Sequence, residues 1–298
     1  MLSILIPTYN YNIVPLVNKV YKQALDAKVI FEIIVVDDCS TNKAVVDKNK
    51  ETEELEFCTF LKNNQNIGRT ATRNLLANTA KHNQLLFLDA DVLPKYDNFI
   101  SNFNLTETNN YQVIYGGVCY YERKPEENKV LRWKYGKERE AKSVAQRLKE
   151  PFFIISQNLM IQKEVFFKMN TINTNAYGLD ILFSNNLKIN NIIVNHIDNP
   201  VYHLGLETNN TFIKKSLEAV KTTFQLEEEE GVIDNDLRPL QKSYLKLKKN
   251  RLTSLFSFFI SKFKTLMERN FLSKNPNLFW FDLYRLNYYI ELKSKKSV

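Results

Sequence analysis

The 298 residues are 44% hydrophobic and 25% charged, an ordinary balance for a globular chain with room for one large domain or a domain plus an extension. Seven glycines, with no G-x-G-x-x-G and no G-x-x-x-x-G-K, exclude the usual dinucleotide and P-loop cradles, and three cysteines without C-x-x-C spacing exclude a disulfide framework and a zinc-thiolate site and point to a reducing compartment. The net charge of +8 is local: residues 241–298 carry 13 Lys+Arg against 3 Asp+Glu, a surplus of ten, so the rest of the chain stands at −2.

In chain order, Ser3 to Pro7 is a short apolar strand stopped by a proline, too short and without the basic flank for a secretory leader. No stretch approaches the roughly 20 apolar residues of a spanning helix. Tyr11 to Ala27 has helical spacing, and Phe31 to Val36 is a β-branched run into Asp37 and Asp38. Ser40 to Glu54 reads as a helix capped by Ser40 or Thr41, Phe57 to Leu61 as a strand, Gly68 to Lys81 as a helix, and Gln84 to Leu88 as a strand. Continuous apolar strands alternating with helices predict an α/β fold with a mostly parallel sheet covered on both faces. Glu122 to Lys129 is a charged loop, and Pro151 to Ile161 is apolar around Ser156, Gln157 and Asn158. Lys163 to Met169 reads as helix, and Tyr177 to Asp180 breaks the pattern before a helix over Ile181 to Leu187. Asn191 to His196 is strand-like, and the chain beyond Glu207 is helical, with the acidic run Glu227 to Glu230 and Gly231 as a solvated helix end or linker.

Parallel sheets bind ligands beyond the carboxyl ends of their strands. Thr8, Tyr9 and Asn10, then Asp37 and Asp38, then Asp89 and Asp91 fall at three such ends and share one rim. Asp89-Ala90-Asp91 offers two carboxylates to a hard divalent cation, and through it to a diphosphate. Of Asp37 and Asp38, one can accept a uracil N–H while the other holds local backbone donors or caps a helix. Asn66, Gly68, Arg69 and Arg73 open a helix whose N-terminus suits an anion or a base carbonyl; the alternative is a cap with two surface arginines.

These strings, Ser3 to Asn10, Ile34 to Ser40, Asn66-x-Gly68-x-x-x-x-Arg73-Asn74 and Phe87 to Asp91, together resemble family 2 glycosyltransferases of the GT-A fold. The resemblance runs on through Ser156 to Ile161, Tyr177 to Leu187 and His196 to Gly205, and within the family is similar to bacterial cell-surface polysaccharide and lipopolysaccharide sugar transferases. It implies a GT-A nucleotide-binding domain over 1–210, with a nucleotide-sugar half (1–100) and an acceptor half (101–210), and a helical extension over 211–298. It implies a nucleotide site of Pro7, Thr8, Tyr9, Asn10, Asp37, Asp38, Asn66, Gly68, Arg73, Asp89 and Ala90, with Asp38 on uracil and Tyr9 against the base. Asp91, Asp89 and His203 would hold Mn²⁺ or Mg²⁺, and Asn158 and Gly178 would lie beside the donor or acceptor sugar. Asp180 would be the general base of an inverting transfer. In relatives this region reads glycine, one residue, then Glu-Asp; here Gly178-Leu179-Asp180 is one residue shorter, and a helix cap is the alternative role for Asp180. His203 has a structural role as its alternative, and His196 is the weaker candidate ligand.

The tail interleaves Leu255, Phe256, Phe258, Phe259, Ile260 and Phe263 with Lys262, Lys264 and Arg269. It suits either a membrane surface or a helix packing its apolar stripe on the domain. The expectation is a cytoplasmic enzyme, peripheral at the inner membrane face, that moves sugar from a UDP-sugar to a glycan or lipid-linked glycan hydroxyl, with no nucleic-acid partner. Its rivals are a nucleotide-sugar-binding protein with little transferase activity and a basic membrane-surface adaptor.

Overall fold

The computed structural model describes residues 1–103, 111–171, 177–229, 233–234 and 236–295. The elements run β1 (Leu2–Thr8), α1 (Val14–Asp26), β2 (Phe31–Asp37), α2 (Lys43–Lys50), β3 (Cys58–Lys62), α3 (Arg69–Thr79), β4 (Gln84–Leu88) and β5 (Val92–Pro94). There follow β6 (Val113–Tyr115), β7 (Val118–Cys119), α4 (Val130–Tyr135), α5 (Val144–Arg147), β8 (Asn158–Gln162) and α6 (Lys163–Met169). The chain closes with α7 (Asp180–Ile189), β9 (Val194–His196), β10 (Val201–His203), α8 (Asn209–Glu229), α9 (Pro239–Lys249), α10 (Thr253–Phe271) and α11 (Leu278–Lys295).

Compactness divides these residues into two units. The first is Met1–Tyr120, Ala141–Asn175 and Leu187–Gly205; the second is Tyr121–Glu140, Ala176–Asn186 and Leu206–Val298. The expected single boundary at 210 lies near the last of these divisions. The second unit also takes in α4, because Leu131 and Tyr135 pack with Phe212, Phe271 and Phe281 in its core.

In the first unit, seven strands form one sheet in the order β3-β2-β1-β4-β8-β6-β9. β1 pairs parallel with β2 and β4, β2 with β3, and β6 with β9, while β8 runs against both its neighbours. Every residue of β2 is buried, as both faces of a parallel sheet require. α1 lays Leu16, Val17, Val20 and Ala24 onto Leu2, Ile4, Ile33 and Val35. A second sheet, β5-β10-β7, has β10 antiparallel to β5 and parallel to β7.

Two local expectations shift. The helix predicted over Ser40 to Glu54 is α2 followed by a tight turn over Glu51–Glu54, and its cap is Asn42, whose side chain accepts from the Val45 N–H. Ser40 and Thr41 are spent elsewhere, on Asn10. α1 begins at Val14, where Asn12 Oδ1 accepts from the Val14 N–H and Pro15 fixes the first turn. Glu230 and Gly231 lie outside the described residues. No helix among the described residues is long and apolar enough to cross a membrane.

Candidate functional site

β1 and β2 run in register with Thr8 opposite Asp37, so both loops emerge at one edge. Asn10 follows with φ 51°, a left-handed conformation that asparagine tolerates. Its Oδ1 accepts N–H bonds from Thr41 and Asn42 (2.9 Å each), and its own N–H reaches Ser40 Oγ at 2.7 Å. Asn10 is thus a clip between the two loops. Thr8 donates its hydroxyl to the Tyr11 carbonyl (3.1 Å) and accepts the Asp38 N–H at its own carbonyl (2.8 Å). Pro7 sits beside it opposite Val36, and Tyr9 leaves its ring half exposed to the edge.

Asp37 is fully buried; its Oδ1 accepts the Ser40 N–H at 2.6 Å, and its Oδ2 has no hydrogen-bond partner among the described residues. Asp38 is also buried. Its Oδ1 accepts from Asn63 Nδ2 and the Ile67 N–H (2.9 Å each), its Oδ2 from the Gly68 N–H (2.8 Å), and its carbonyl from Asn66 Nδ2 (3.1 Å). Asp38 therefore binds the loop into the start of α3, where Gly68 at φ 84° caps the helix. A carboxylate has about four acceptor sites, so one remains on Asp38 beyond these three bonds.

Arg69 and Arg73 stand one turn apart on α3 and both reach Asp89: Arg69 Nη2 lies 2.6 Å from Oδ2 and Arg73 Nη2 lies 2.7 Å from Oδ1. Arg73 is buried and also donates to Ser156 Oγ (2.5 Å) and the Ser156 carbonyl (2.7 Å). Its guanidinium rests 5.8 Å from the Phe87 ring centre. The Asp89 N–H reaches the Gln157 carbonyl at 3.3 Å, which ties this aspartate to β8.

Past Ala90 the chain turns into β5, whose antiparallel partner β10 sets His203 opposite Val92. His203 Nε2 then lies 3.2 Å from Asp91 Oδ2, and His203 Nδ1 lies 3.2 Å from the Tyr120 hydroxyl, whose ring meets the imidazole edge-on. The Leu204 N–H holds the Asp91 carbonyl at 2.8 Å. A Cβ on Gly205 would fall 1.8 Å from Asp91 Oδ2, so only glycine fits beside this carboxylate. Burial pushes the Asp91 carboxyl upward, but the His203 hydrogen bond and charge, with Arg69, hold it below the ordinary 3.8. Burial first, and then the Asp91 charge, raise the Tyr11 phenol.

Two ligands at right angles on an ion with bonds of 2.0–2.1 Å stand about 3 Å apart. The Asp91–His203 separation of 3.2 Å fits that spacing. Asp89 faces the arginines, and among the described residues no three His, Cys, Asp or Glu gather into a metal-holding group. The ion this edge suits is one held by few protein ligands and completed by water and phosphate.

The other predicted positions have the following surroundings. Asn158 is fully buried, and its Nδ2 donates to the carbonyls of Gly117 (3.0 Å) and Asn199 (2.8 Å). His196 Nε2 meets the Pro151 carbonyl at 2.9 Å, and burial lowers its pKa. Gly178 and Asp180 belong to the second unit. Gly178 has φ 95°, and a Cβ there would lie 3.0 Å from the Ala219 backbone, while Asp180 opens α7. Sequence reading missed Asn63, Tyr120, Ser156 and Gly205. Of these, Ser156 and Gly205 carried a signal, since both stand at the ends of strings that share the family resemblance.

Comparison with known proteins bears on all of this. The family model described as Glycosyl transferase family 2 matches residues 3–168. An uncharacterized glycosyltransferase of Haemophilus influenzae is 38% identical over 92 residues, which is 30% of this chain and 29% of that relative, so the match spans under a third of its length. Among solved structures, the mannosyltransferase PcManGT from Pyrobaculum calidifontis, in complex with GDP-Man and Mn²⁺, is similar with a TM-score of 0.60 at 14% identity, over 99% of this chain and 86% of that one. S. aureus TarS is similar with a TM-score of 0.50 at 17% identity, over 76% of this chain and 40% of the other. Such low identities speak for the fold: a central, mostly parallel sheet flanked by helices, as in GT-A glycosyltransferases, with further helices toward the C-terminus. The matched residues run through the β1, β2 and β4 ends that carry the edge just described, and the chain belongs to glycosyl transferase family 2.

Proposed function

We propose that this chain is an inverting, metal-dependent transferase that takes a hexosyl or N-acetylhexosaminyl group from a UDP-sugar and places it on a glycan or lipid-linked glycan hydroxyl in surface polysaccharide synthesis. The reaction belongs on the cytoplasmic side of a membrane. The observation that carries the reading is the Asp91–His203 pair at 3.2 Å, two residues beyond an Asp89 that two arginines hold at the end of β4. Asp91 and His203 would hold Mn²⁺ or Mg²⁺, which would supply Lewis-acid neutralisation of the diphosphate leaving group. The neighbour PcManGT, solved with GDP-Man and Mn²⁺, supports a nucleotide-sugar donor and a divalent ion.

Thr8, Asn10, Asn66 and Gly68 shape the nucleotide's seat, with Pro7 and Ala90 at its margins and Tyr9 offering its exposed ring to the base. The acceptor site left on Asp38 suits the N3–H of uracil, and buried Asp37 braces the same loop. Arg73 holds Asp89 toward the ribose or the ion. Asp180 is the proposed base: it takes the acceptor hydroxyl's proton as the new bond to the anomeric carbon forms and the nucleoside diphosphate departs with the old bond's electrons. Gly178 and Asn158 shape the acceptor and sugar side, Asn158 through the turn it pins.

Calorimetric titration of UDP, with GDP as control, with and without Mn²⁺, on wild type and Asp91→Asn tests this. The expected result is UDP binding that needs Mn²⁺ and is lost in the variant. Folded protein that ignores UDP under every condition would sink the UDP-sugar reading, and a preference for GDP would reassign the donor. Tight UDP binding with no turnover on any glycan would leave a binding protein.

A further inference from the structure

α10 has two apolar faces. Phe256, Ile260, Met267 and Phe271 pack with Leu131, Phe212, Phe281 and Tyr284 in the core of the second unit, as an amphipathic helix should. Leu255, Phe259, Phe263 and Leu266 form the other face. Their spacings of four, four and three confine them to an arc of about 80° on a helix turning 100° per residue. Each is 52–53% exposed. Scattered exposed apolar residues are ordinary, but an uninterrupted stripe of this kind marks a contact surface.

The flank of the stripe is cationic. Lys262 and Arg269 lie beside it, both exposed, and neither is ion-paired among the described residues. Lys262 Nζ rests 4.3 Å from the ring of Phe258, itself exposed. The helix's one carboxylate, Glu268, accepts from the Tyr284 hydroxyl at 2.8 Å and is turned to the packed side. Lys248, Lys249 and Arg251, just before the helix, are exposed as well. A second copy of the chain is a poor occupant, because a two-fold contact through this face would gather Lys262 and Arg269 of both copies into one interface, while the only carboxylate of α10, Glu268, is turned to the packed side. An anionic bilayer surface supplies both an apolar layer and negative headgroups.

We propose that this second face of α10 docks on an anionic phospholipid surface, the helix lying in the plane of the interface. The proposal goes beyond sugar transfer and concerns the second unit, so it stands whichever nucleotide the first unit takes.

Flotation of the full chain with vesicles of phosphatidylcholine, and of phosphatidylcholine mixed with an equal part of phosphatidylglycerol, tests it. Wild type should float with the mixed vesicles and stay down with the neutral ones, and added salt should release it. Lys262→Gln with Arg269→Gln should weaken partitioning about fivefold for each charge removed. Phe259→Ser with Phe263→Ser should weaken it on the order of tenfold each. All four side chains are exposed, so both variants should melt and bind nucleotide as wild type does, which separates this test from that of the donor site. Failure of wild type to float at low salt, or variants that float as well as wild type, would overturn the proposal. So would a concentration-dependent dimer that Phe259→Ser with Phe263→Ser dissolves in the absence of any flotation, since the occupant would then be a second copy.

Discussion

Gly205→Ala adds one methyl group at the tightest point of the candidate site. The new Cβ would stand 1.8 Å from Asp91 Oδ2, 2.7 Å from its Cγ and 2.9 Å from its Cβ, where ordinary contact begins near 3.4 Å. The carboxylate oxygen must therefore retreat by about 1.6 Å. The Asp91 backbone cannot carry the movement, because its carbonyl accepts the Leu204 N–H at 2.8 Å and the next residue pairs with His203 across β5 and β10. The side chain must rotate to clear the oxygen, the two Cβ atoms at 2.9 Å require a small further adjustment of the Gly205 turn, and the 3.2 Å contact with His203 Nε2 is lost. Losing a hydrogen bond to a charged group costs roughly 1.5–3 kcal/mol. Disturbing the support of a metal ligand typically costs 10–100-fold in metal affinity.

The assay is Mn²⁺ affinity in the presence of UDP, read from the spin-resonance signal of free Mn²⁺, with the Asp91 carboxyl titration followed by carbon NMR on the metal-free protein. The expected outcome is a loss of about 10–100-fold in affinity, together with a rise in the Asp91 pKa as the His203 contact that lowers it disappears. A folded Gly205→Ala protein that keeps wild-type Mn²⁺ affinity would refute the reasoning, since the Asp91–His203 pair would not be the ion's seat. An unchanged Asp91 titration would show that the methyl group is accommodated by some other movement.

Three more outcomes follow from the same geometry. Asp38→Ala strips the acceptor from the part-buried Ile67 N–H and the buried Gly68 N–H, and the buried donor left unmade costs roughly 1–3 kcal/mol; denaturant unfolding should register the loss, and hydrogen exchange at those amides should quicken. Asp91 is held below the ordinary 3.8, so as pH falls the unfolded chain takes up this proton first. Its stabilisation is complete above that value and drains away as pH falls through the folded one, so the stability gap between wild type and Asp91→Asn should narrow in acid. Asp180→Asn should lower the transfer rate by about 10²–10⁴ while UDP affinity stays unchanged; a parallel loss of UDP binding would remove Asp180 from the role of base.

The strands that bring the site together were readable because burial on both faces writes itself as an unbroken apolar run, as in β1, β2 and β4. Polar residues just past such runs fall at the strand ends by necessity, which is how Thr8, Asp37 and Asp89 were found together. What stayed hidden was set by distant partners. β8 showed only as apolar sequence, and its reversed direction comes from pairing Asn158 with Leu88, seventy residues earlier in the chain. The cap of α2 is Asn42 because Ser40 and Thr41 answer to Asn10, thirty residues away. Asp89 and Asp91, two residues apart, would share a face in an extended chain, yet the turn at Ala90 and Asp91 sends them apart: one meets Arg69 and Arg73, the other His203. β5, β7 and β10 are two or three residues long, too short for any periodicity to declare them.

The charges along this edge argue for how donor and ion should bind. Asp37, Asp38, Asp89 and Asp91 stand with Arg69 and Arg73, which leaves a formal charge of −2. A nucleoside diphosphate brings further negative charge to a partly buried place, where like charges repel more strongly than in water. Most of the existing charge is already committed. Asp38 serves Asn63, Ile67 and Gly68, Asp37 serves Ser40, and Asp89 serves the two arginines. Asp91 instead faces an imidazole nitrogen, a group that can turn from hydrogen-bond partner to fellow ligand when a cation arrives. On the proposed reading, one divalent ion there cancels the formal deficit of the edge and draws in the diphosphate. Each must then tighten the other by the same factor, because the coupling between two bound species is reciprocal. The dependence of UDP affinity on Mn²⁺ and of Mn²⁺ affinity on UDP should therefore agree within error, and both should fall together in Asp91→Asn and Gly205→Ala.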